Sequence, residues 1–329
     1  MLKGLYVLGE EPLRLIYGEP ERARIAELID IYAPPQTAES VRANPAVLAD
    51  ADVILSGWGC PVLDAELLAA MPRLRAVFYG AGSIRALVTD AFWARGILIS
   101  SAWAANAVPV VEYALAHILF GLKCGWQHVT SLKQQRRYAR HPVAGAFGST
   151  VGIVSLGMIG RMVVERLKTF DVRVIAYDPY VTLAQGAQLG VEMAALDELF
   201  RRADVVSAHT PWLKETEGLI GGAHLAAMKP YSTFINSSRG AVVREDEMIG
   251  VLQRRSDLVA VLDVTHPEPP APDSPLYTLS NVILTPHIAG SMDGECRRMG
   301  QYMIAELERY IAGQPLQYSL TRERAAIMA

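Results

Sequence analysis

Apolar residues in this chain come in short runs, and the stretches between them carry apolar positions at helical spacing. In the first hundred residues, the runs at 5–8, 53–55 and 76–79 predict buried strands. Residues 19–28 predict a helix with Ile25 and Leu28 on one face, and 64–71 predict another that Pro72 ends. Strand alternating with helix predicts a parallel sheet, so residues 1–102 read as a small open α/β domain. Two of its strands run into glycine-bearing loops: Ser56, Gly57, Trp58, Gly59, and then Gly80, Ala81, Gly82, Ser83. Open sheets bind ligands at that carboxyl edge, and loop N–H groups can face a small anion. A long helix follows, capped by Asn106, with Val108, Val111, Leu115, Ile118 and Leu122 in one stripe and Pro109 in its first turn. It continues in polar form through Lys133, Arg136 and Arg137 and breaks at His141 and Pro142. Runs at 151–156, 172–177, 205–208, 233–235, 258–262 and 282–284 predict six more strands, with helices such as 245–255 between them. A last helix, 295–311, puts Met299, Met303, Leu307 and Tyr310 on one face, and the polar residues after Gln314 read as a loosely held tail.

Within this series, residues 150–178 carry the most specific pattern. The run 151–156 ends in a turn with Gly157 and Gly160. Ile159, Val163, Leu167 and Phe170 follow at helical spacing, and the run 172–177 ends on Asp178. Strand, glycine turn, helix, strand and acid make the βαβ unit that grips a dinucleotide. Gly157 lets the backbone approach a pyrophosphate, and Gly160 lets helix and strand pack closely. Free N–H groups at the helix start, around Met158 and Ile159, hold the phosphates. Asp178 stands where a carboxylate accepts hydrogen bonds from the adenosine ribose and repels a 2′-phosphate, which predicts NAD over NADP. One position departs from G-x-G-x-x-G: Ser155 replaces the first glycine, which a small residue can do if its φ stays negative.

Composition narrows the reading further. A formal net charge of −3 without a basic block argues against nucleic acid as a partner. The cysteines, Cys60, Cys124 and Cys296, are odd in number and not spaced like metal ligands, so free thiols in a reducing compartment and no metal are expected. The first residues lack the apolar stretch of a signal peptide. The most apolar segment, 107–122, contains Pro109, Glu112 and His117 and reads as too short and too polar to span a bilayer. A soluble cytoplasmic protein with no membrane association is expected.

Three loops after late strands carry titratable residues at the edge where a nicotinamide would lie. They run 235–240 with Ser238 and Arg239, 262–269 with Asp263, His266 and Glu268, and 285–290 with His287. On the glycine loop and the segments HTPWLKETEGLI (209–220), INSSRGAVV (235–243), LDVTHPEP (262–269) and TPHIAG (285–290), the chain resembles the D-isomer-specific 2-hydroxyacid dehydrogenase family over nearly its whole length.

That resemblance implies two doubly wound parallel-sheet domains. A Rossmann NAD-binding domain (103–289) is inserted into a flavodoxin-like substrate domain (1–102 and 290–329). It implies hydride transfer between NAD(H) and a small 2-keto or D-2-hydroxy acid, with a homodimer formed through the dinucleotide domain. Arg239 matches the arginine that holds the substrate carboxylate and polarises its carbonyl, a task that suits a planar, always-charged guanidinium. His287 matches the acid/base and Glu268 its acidic partner; an imidazole gives and takes a proton near neutral pH. Ala81 and Gly82 match positions whose backbone amides hold the carboxylate. Ser238 and Asp263 match positions beside the nicotinamide carboxamide. Thr210 and Pro211 match a loop beside the cofactor, which His209 could also approach.

Formate dehydrogenase shares the fold but carries glutamine where Glu268 stands. An NAD(H)-sensing corepressor on the same fold can keep all three residues and is the alternative reading. The chain departs from the family at Gly82, Ser83, Ile84 and Arg85, where Gly-x-Asp is usual, and at Trp212, where leucine is usual. Trp58 and Trp103 match stretches near the substrate, where they would form either a large pocket or core, and Arg85 would meet a distal substrate charge.

Overall fold

The computed structural model describes residues 1–138 and 140–327; residues 139, 328 and 329, the last two at the end of the expected tail, lie outside it. The chain divides into two compact units, one of Met1–Ala107 with the residues from Ser291 on, the other of Val108–Gly290. Each has its own parallel sheet.

The first unit opens with β1 (Lys3–Val7), α1 (Glu10–Ile16), α2 (Glu19–Leu28), β2 (Asp30–Ile31) and α3 (Ala38–Ala43). It continues with β3 (Val53–Ser56), α4 (Ala65–Ala69), β4 (Ala76–Tyr79), α5 (Asp90–Ala94) and β5 (Leu98–Ser101). The sheet order β2-β1-β3-β4-β5 is that of a flavodoxin-like fold. Alternate side chains of its strands feed two cores: Leu5, Ile54 and Val77 on one face, Tyr6, Leu55 and Phe78 on the other. The strand alternation held wherever a run was fully apolar. It missed β2, which is only two residues long, and β5, whose second half is serine.

Helix α6 (Trp103–Leu122) follows, then α7 (Gly125–Gln135), where the periodicity predicted one unbroken helix. The break is local: Cys124 turns to φ 48° in the left-handed region, which no α-helix can continue through. The N-terminus also differs from expectation. The helix begins at Trp103, so Asn106 lies inside it and its side-chain Oδ1 accepts the Ser291 N–H (2.9 Å) instead of capping. Pro109 therefore sits within the helix rather than in its first turn. With the earlier start, Trp103–Leu122 is 20 residues long, enough by length and composition to cross a bilayer, contrary to the expectation from 107 on. Its stripe of Val111, Ala114, Ile118 and Leu122 is nonetheless a core face, packed on Val151, Ile153, Val205 and Ile235.

The second unit contains β6 (Thr150–Val154), α8 (Met158–Leu167), β7 (Arg173–Tyr177), α9 (Leu183–Leu189), β8 (Glu192–Met193) and α10 (Leu196–Arg202). It goes on through β9 (Val205–Ala208), α11 (Gly222–Ala226), β10 (Thr233–Asn236), α12 (Glu245–Arg254), β11 (Val259–Leu262) and β12 (Val282–Leu284). The order β12-β11-β10-β9-β6-β7-β8 is the dinucleotide-binding order with one strand added beyond the six predicted runs. The unpredicted strand is β8, a two-residue edge pairing of Glu192 and Met193 with β7. The strand order reverses between β6 and β9, and ligands of such sheets bind at that reversal.

The chain closes with α13 (Cys296–Ile311) and α14 (Arg322–Ile327). The segment after Gln314 is not a loose tail. The Leu320 N–H donates to Ile99 O (3.0 Å), the Ser101 N–H donates to Tyr318 O (3.3 Å), and Leu320 and Ala325 are buried. The fully buried Glu306 carboxylate accepts the N–H groups of Gln317 and Tyr318 (both 2.9 Å) and the Ser100 hydroxyl (2.6 Å). The sequence reads as polar because the attachment is made largely by backbone groups, which composition does not register.

Candidate active site and dinucleotide cradle

In the second unit, every predicted site residue stands at or just past the carboxyl end of a strand or at the start of α8. The β6–α8 turn comes first. Gly160 sits so close to the strand that a Cβ there would lie 2.1 Å from Ser155 O, so only glycine fits. A Cβ at Gly157, by contrast, would meet nothing within 4 Å, and no side chain caps the N-terminus of α8. The first-turn N–H groups at Met158 and Ile159 have no intrahelical acceptor, and the Gly157 turn before them has room at its Cβ position, as suits a phosphate cradle.

Ser155 corrects the expectation of negative φ: it sits at φ 76°. Its N–H donates to Tyr177 O (2.7 Å), and its hydroxyl is bonded to the Thr210 hydroxyl (2.8 Å). These bonds hold a conformation that costs a non-glycine residue about 1–3 kcal/mol. Asp178 takes the Leu156 N–H on Oδ2 and the Tyr180 N–H on Oδ1 (both 2.8 Å). Its carboxylate is thereby fixed beside the glycine turn, with lone pairs left for further donors. Behind the loop that begins with Thr210 and Pro211, the His209 Nδ1 atom is buried with no hydrogen-bond partner, and so is the Ser237 hydroxyl. Uncapped helix start, open space, a fixed carboxylate and orphaned polar atoms fit a dinucleotide.

The loop after β10 is shaped by a residue the motif reading passed over. Asn236 Oδ1 accepts both the N–H (3.1 Å) and the hydroxyl (2.7 Å) of Ser238, while its Nδ2 donates to Arg239 O (3.1 Å). An Asx turn of this kind extends Arg239 outward from the strand end. The guanidinium donates to Ser238 O (2.6 Å) and is half-buried. Burial weakens its hold on its proton, and the charge of Glu268 opposes that. Gly240 then brings this loop against the next one, where a Cβ would lie 2.0 Å from the Thr265 carbonyl.

After β11, the Asp263 side chain is 1% exposed. Its carboxylate accepts the Thr285 hydroxyl (2.6 Å) and the N–H groups of Ile288 and Ala289 (both 2.8 Å), and its backbone O accepts the His287 N–H (3.0 Å). This clamp folds the loop after β12 so that His287 takes φ 55°. His287 Nδ1 then lies 2.6 Å from Glu268 Oε1. A carboxylate can only accept, so Nδ1 carries the hydrogen and Nε2 is left for a reacting group. Arg239, Glu268 and His287 are therefore one electrostatically linked set on one rim, with Ser238 and Asp263 beside them.

Ala81 and Gly82 belong to the first unit, in the loop after β4, whose carbonyls both accept the Ser101 hydroxyl. Ala81 is buried, and a Cβ on Gly82 would approach only Asn106 Nδ2, at 3.6 Å. Trp58 is 37% exposed, on the loop after β3. Trp103 instead packs edge-on against Tyr318, with the Arg324 guanidinium 4.7 Å over its ring, which makes it part of the C-terminal attachment. Trp212 donates to Glu217 Oε2 (3.1 Å) and meets the His266 ring edge-on. Among the described residues, no three His, Cys, Asp or Glu side chains gather as metal ligands would.

Residues 116–289, more than half of the chain, match the family described as D-isomer specific 2-hydroxyacid dehydrogenase, NAD binding domain. D-3-phosphoglycerate dehydrogenase of Mycobacterium tuberculosis is 37% identical over 271 residues, covering 82% of this chain and 51% of its own. The chain thus spans about half the length of the curated relatives it matches first. Glyoxylate reductase of Korarchaeum cryptofilum is 33% identical over 263 residues, 78% of each chain. Among solved structures, a phosphoglycerate oxidoreductase from Rhizobium etli shares the fold with a TM-score of 0.80 at 23% identity, over 98% of this chain and 99% of that one. With the glycine turn, the fixed Asp178 and the Arg239, Glu268 and His287 set in place, the chain belongs to the D-isomer-specific 2-hydroxyacid dehydrogenase family, and residues 116–289 are that family's NAD-binding domain.

Proposed function

We propose that the protein interconverts a small 2-keto acid and its D-2-hydroxy acid with NAD(H), acting as a homodimer in the cytoplasm. The observation that carries this reading is the 2.6 Å contact of His287 Nδ1 with Glu268 Oε1, on the same rim as Arg239. Bound NADH supplies the hydride to the carbonyl carbon. Arg239 holds the substrate carboxylate and draws electron density from the carbonyl. His287 delivers the proton to the carbonyl oxygen from Nε2, while Glu268 holds its Nδ1 hydrogen and balances the imidazolium. In the oxidative direction the same nitrogen takes the hydroxyl proton. Asp178 favours NAD by repelling a 2′-phosphate.

The test is loss of NADH absorbance against glyoxylate, hydroxypyruvate, pyruvate and bulkier 2-keto acids, with His287→Ala alongside. Turnover on one acid, lowered about 10²–10⁴-fold in the variant, is the expected result. Tight NADH binding with no turnover on any acid would overturn the catalytic reading in favour of an NAD(H)-sensing protein.

A further inference from the structure

We propose that Tyr113 and Thr285 are positioning residues for His287, acting through the buried Asp263 carboxylate; this rests on the acid/base reading above. The Tyr113 hydroxyl lies 2.8 Å from the Thr285 hydroxyl, which in turn donates to Asp263 Oδ1 at 2.6 Å. The direction of both bonds follows from the inventory of donors. An ionised carboxylate only accepts, so the one hydrogen of Thr285 is spent on Asp263, and Tyr113 must donate to Thr285. Burial keeps the Tyr113 phenol protonated and hence a donor.

The far end of the relay is the turn that carries the imidazole. The two oxygens of Asp263 hold the N–H groups of Ile288 and Ala289, immediately after His287, and its main-chain O holds the His287 N–H. His287 lies in the left-handed region, and among the described residues its side chain bonds Glu268 alone. Without the relay, nothing but the backbone amides would fix the rotation of the Asp263 carboxylate.

The near end is also held. Tyr113 stands on α6, 172 residues earlier in sequence, with its ring 4.4 Å from that of His117, which stacks on Trp126. Burial lowers the proton affinity of His117, so this neighbour is a neutral ring. The phenol is thus wedged by aromatic packing and has one polar task.

The experiment uses the full chain. In ¹⁵N-histidine-labelled protein without cofactor, the Nδ1 proton of His287 gives a downfield ring resonance, assigned by its loss in His287→Gln. Tyr113→Phe and Thr285→Val are expected to broaden it or move it upfield, whereas Thr285→Ser, which keeps the hydroxyl, restores it. In turnover with NADH and glyoxylate or hydroxypyruvate, Tyr113→Phe should lower kcat about 10-fold and leave KM for NADH within about two-fold. Wild-type resonance and kcat in both Tyr113→Phe and Thr285→Val would overturn the proposal. Should Thr285→Val melt early by circular dichroism, Tyr113→Phe, which removes a single oxygen, decides alone. If the wild-type protein turns over no keto acid, the functional reading fails while the ring resonance still tests the relay.

Discussion

His209 shows what a single buried titratable side chain does to this fold. Its ring is nearly fully buried, and its Nε2 pairs only with the Ser207 hydroxyl (3.0 Å). Burial brings its pKa from the ordinary histidine value of 6.5 down to about 4, because the cation has lost its water. The unfolded chain therefore binds a proton between pH 6.5 and 4 that the folded chain refuses. The contribution to stability is complete above pH 6.5 and is lost progressively as the pH falls to about 4, by about 3 kcal/mol at most. Urea unfolding of the wild type and of His209→Gln across this window is expected to give a steeper fall for the wild type, and parallel curves would refute the assignment. At this scale the sequence was informative about identity and mute about state. Arg239, Glu268 and His287 stood out as chemistry-bearing residues at loop positions. The left-handed conformation of Ser155 was not legible, because it depends on a hydroxyl contact with Thr210, 55 residues away.

Elements were legible to the extent that their signals were local. The strands β3, β4, β6 and β9 are mostly apolar and buried on both faces as parallel strands are, and their positions followed from the sequence. The misses have a common cause. The α6–α7 break turns on one backbone conformation at Cys124, β8 is only two residues long, and the C-terminal segment is attached by main-chain groups. Tyr113 escaped notice because its partner Thr285 is set by tertiary contact, whereas Asn236 bonds residues only two and three ahead, a local Asx signal that the motif reading did not use. The C-terminal attachment is testable as an element. Truncation after Gln314 removes the buried Leu320 and Ala325 and strips the fully buried Glu306 carboxylate of two donors. The lost apolar burial and the unsatisfied charge predict a loss of about 3–5 kcal/mol. Denaturant melts of the truncated and full-length chains measure it, and an unchanged midpoint would mean that these contacts contribute nothing.

For the whole molecule, the proposed homodimer finds support on the surface of the second unit. Phe120, Val129, Leu132, Val143 and Phe147, on or just after α6 and α7, leave 38–87% of their surface exposed. Exposed apolar side chains so close together in sequence are candidates for an interaction site. Sedimentation velocity should therefore report about 72 kDa, twice the 35.9 kDa chain, and Phe147→Asp with Leu132→Asp should move the boundary toward the single chain. A single-chain boundary for the wild type at micromolar concentration would set the dimer aside.

The close approach of Gly240 to the Thr265 carbonyl has a meaning for anyone redesigning this protein. With 2.0 Å between a hypothetical Cβ and that carbonyl, the loops bearing Arg239 and Glu268 cannot slide past one another. The backbones that carry the guanidinium and the carboxylate are thus held at one spacing, and a side chain added at position 240 would disturb both. Laboratory evolution toward a different acid is thus expected to leave residues 236–240 and 265–268 untouched.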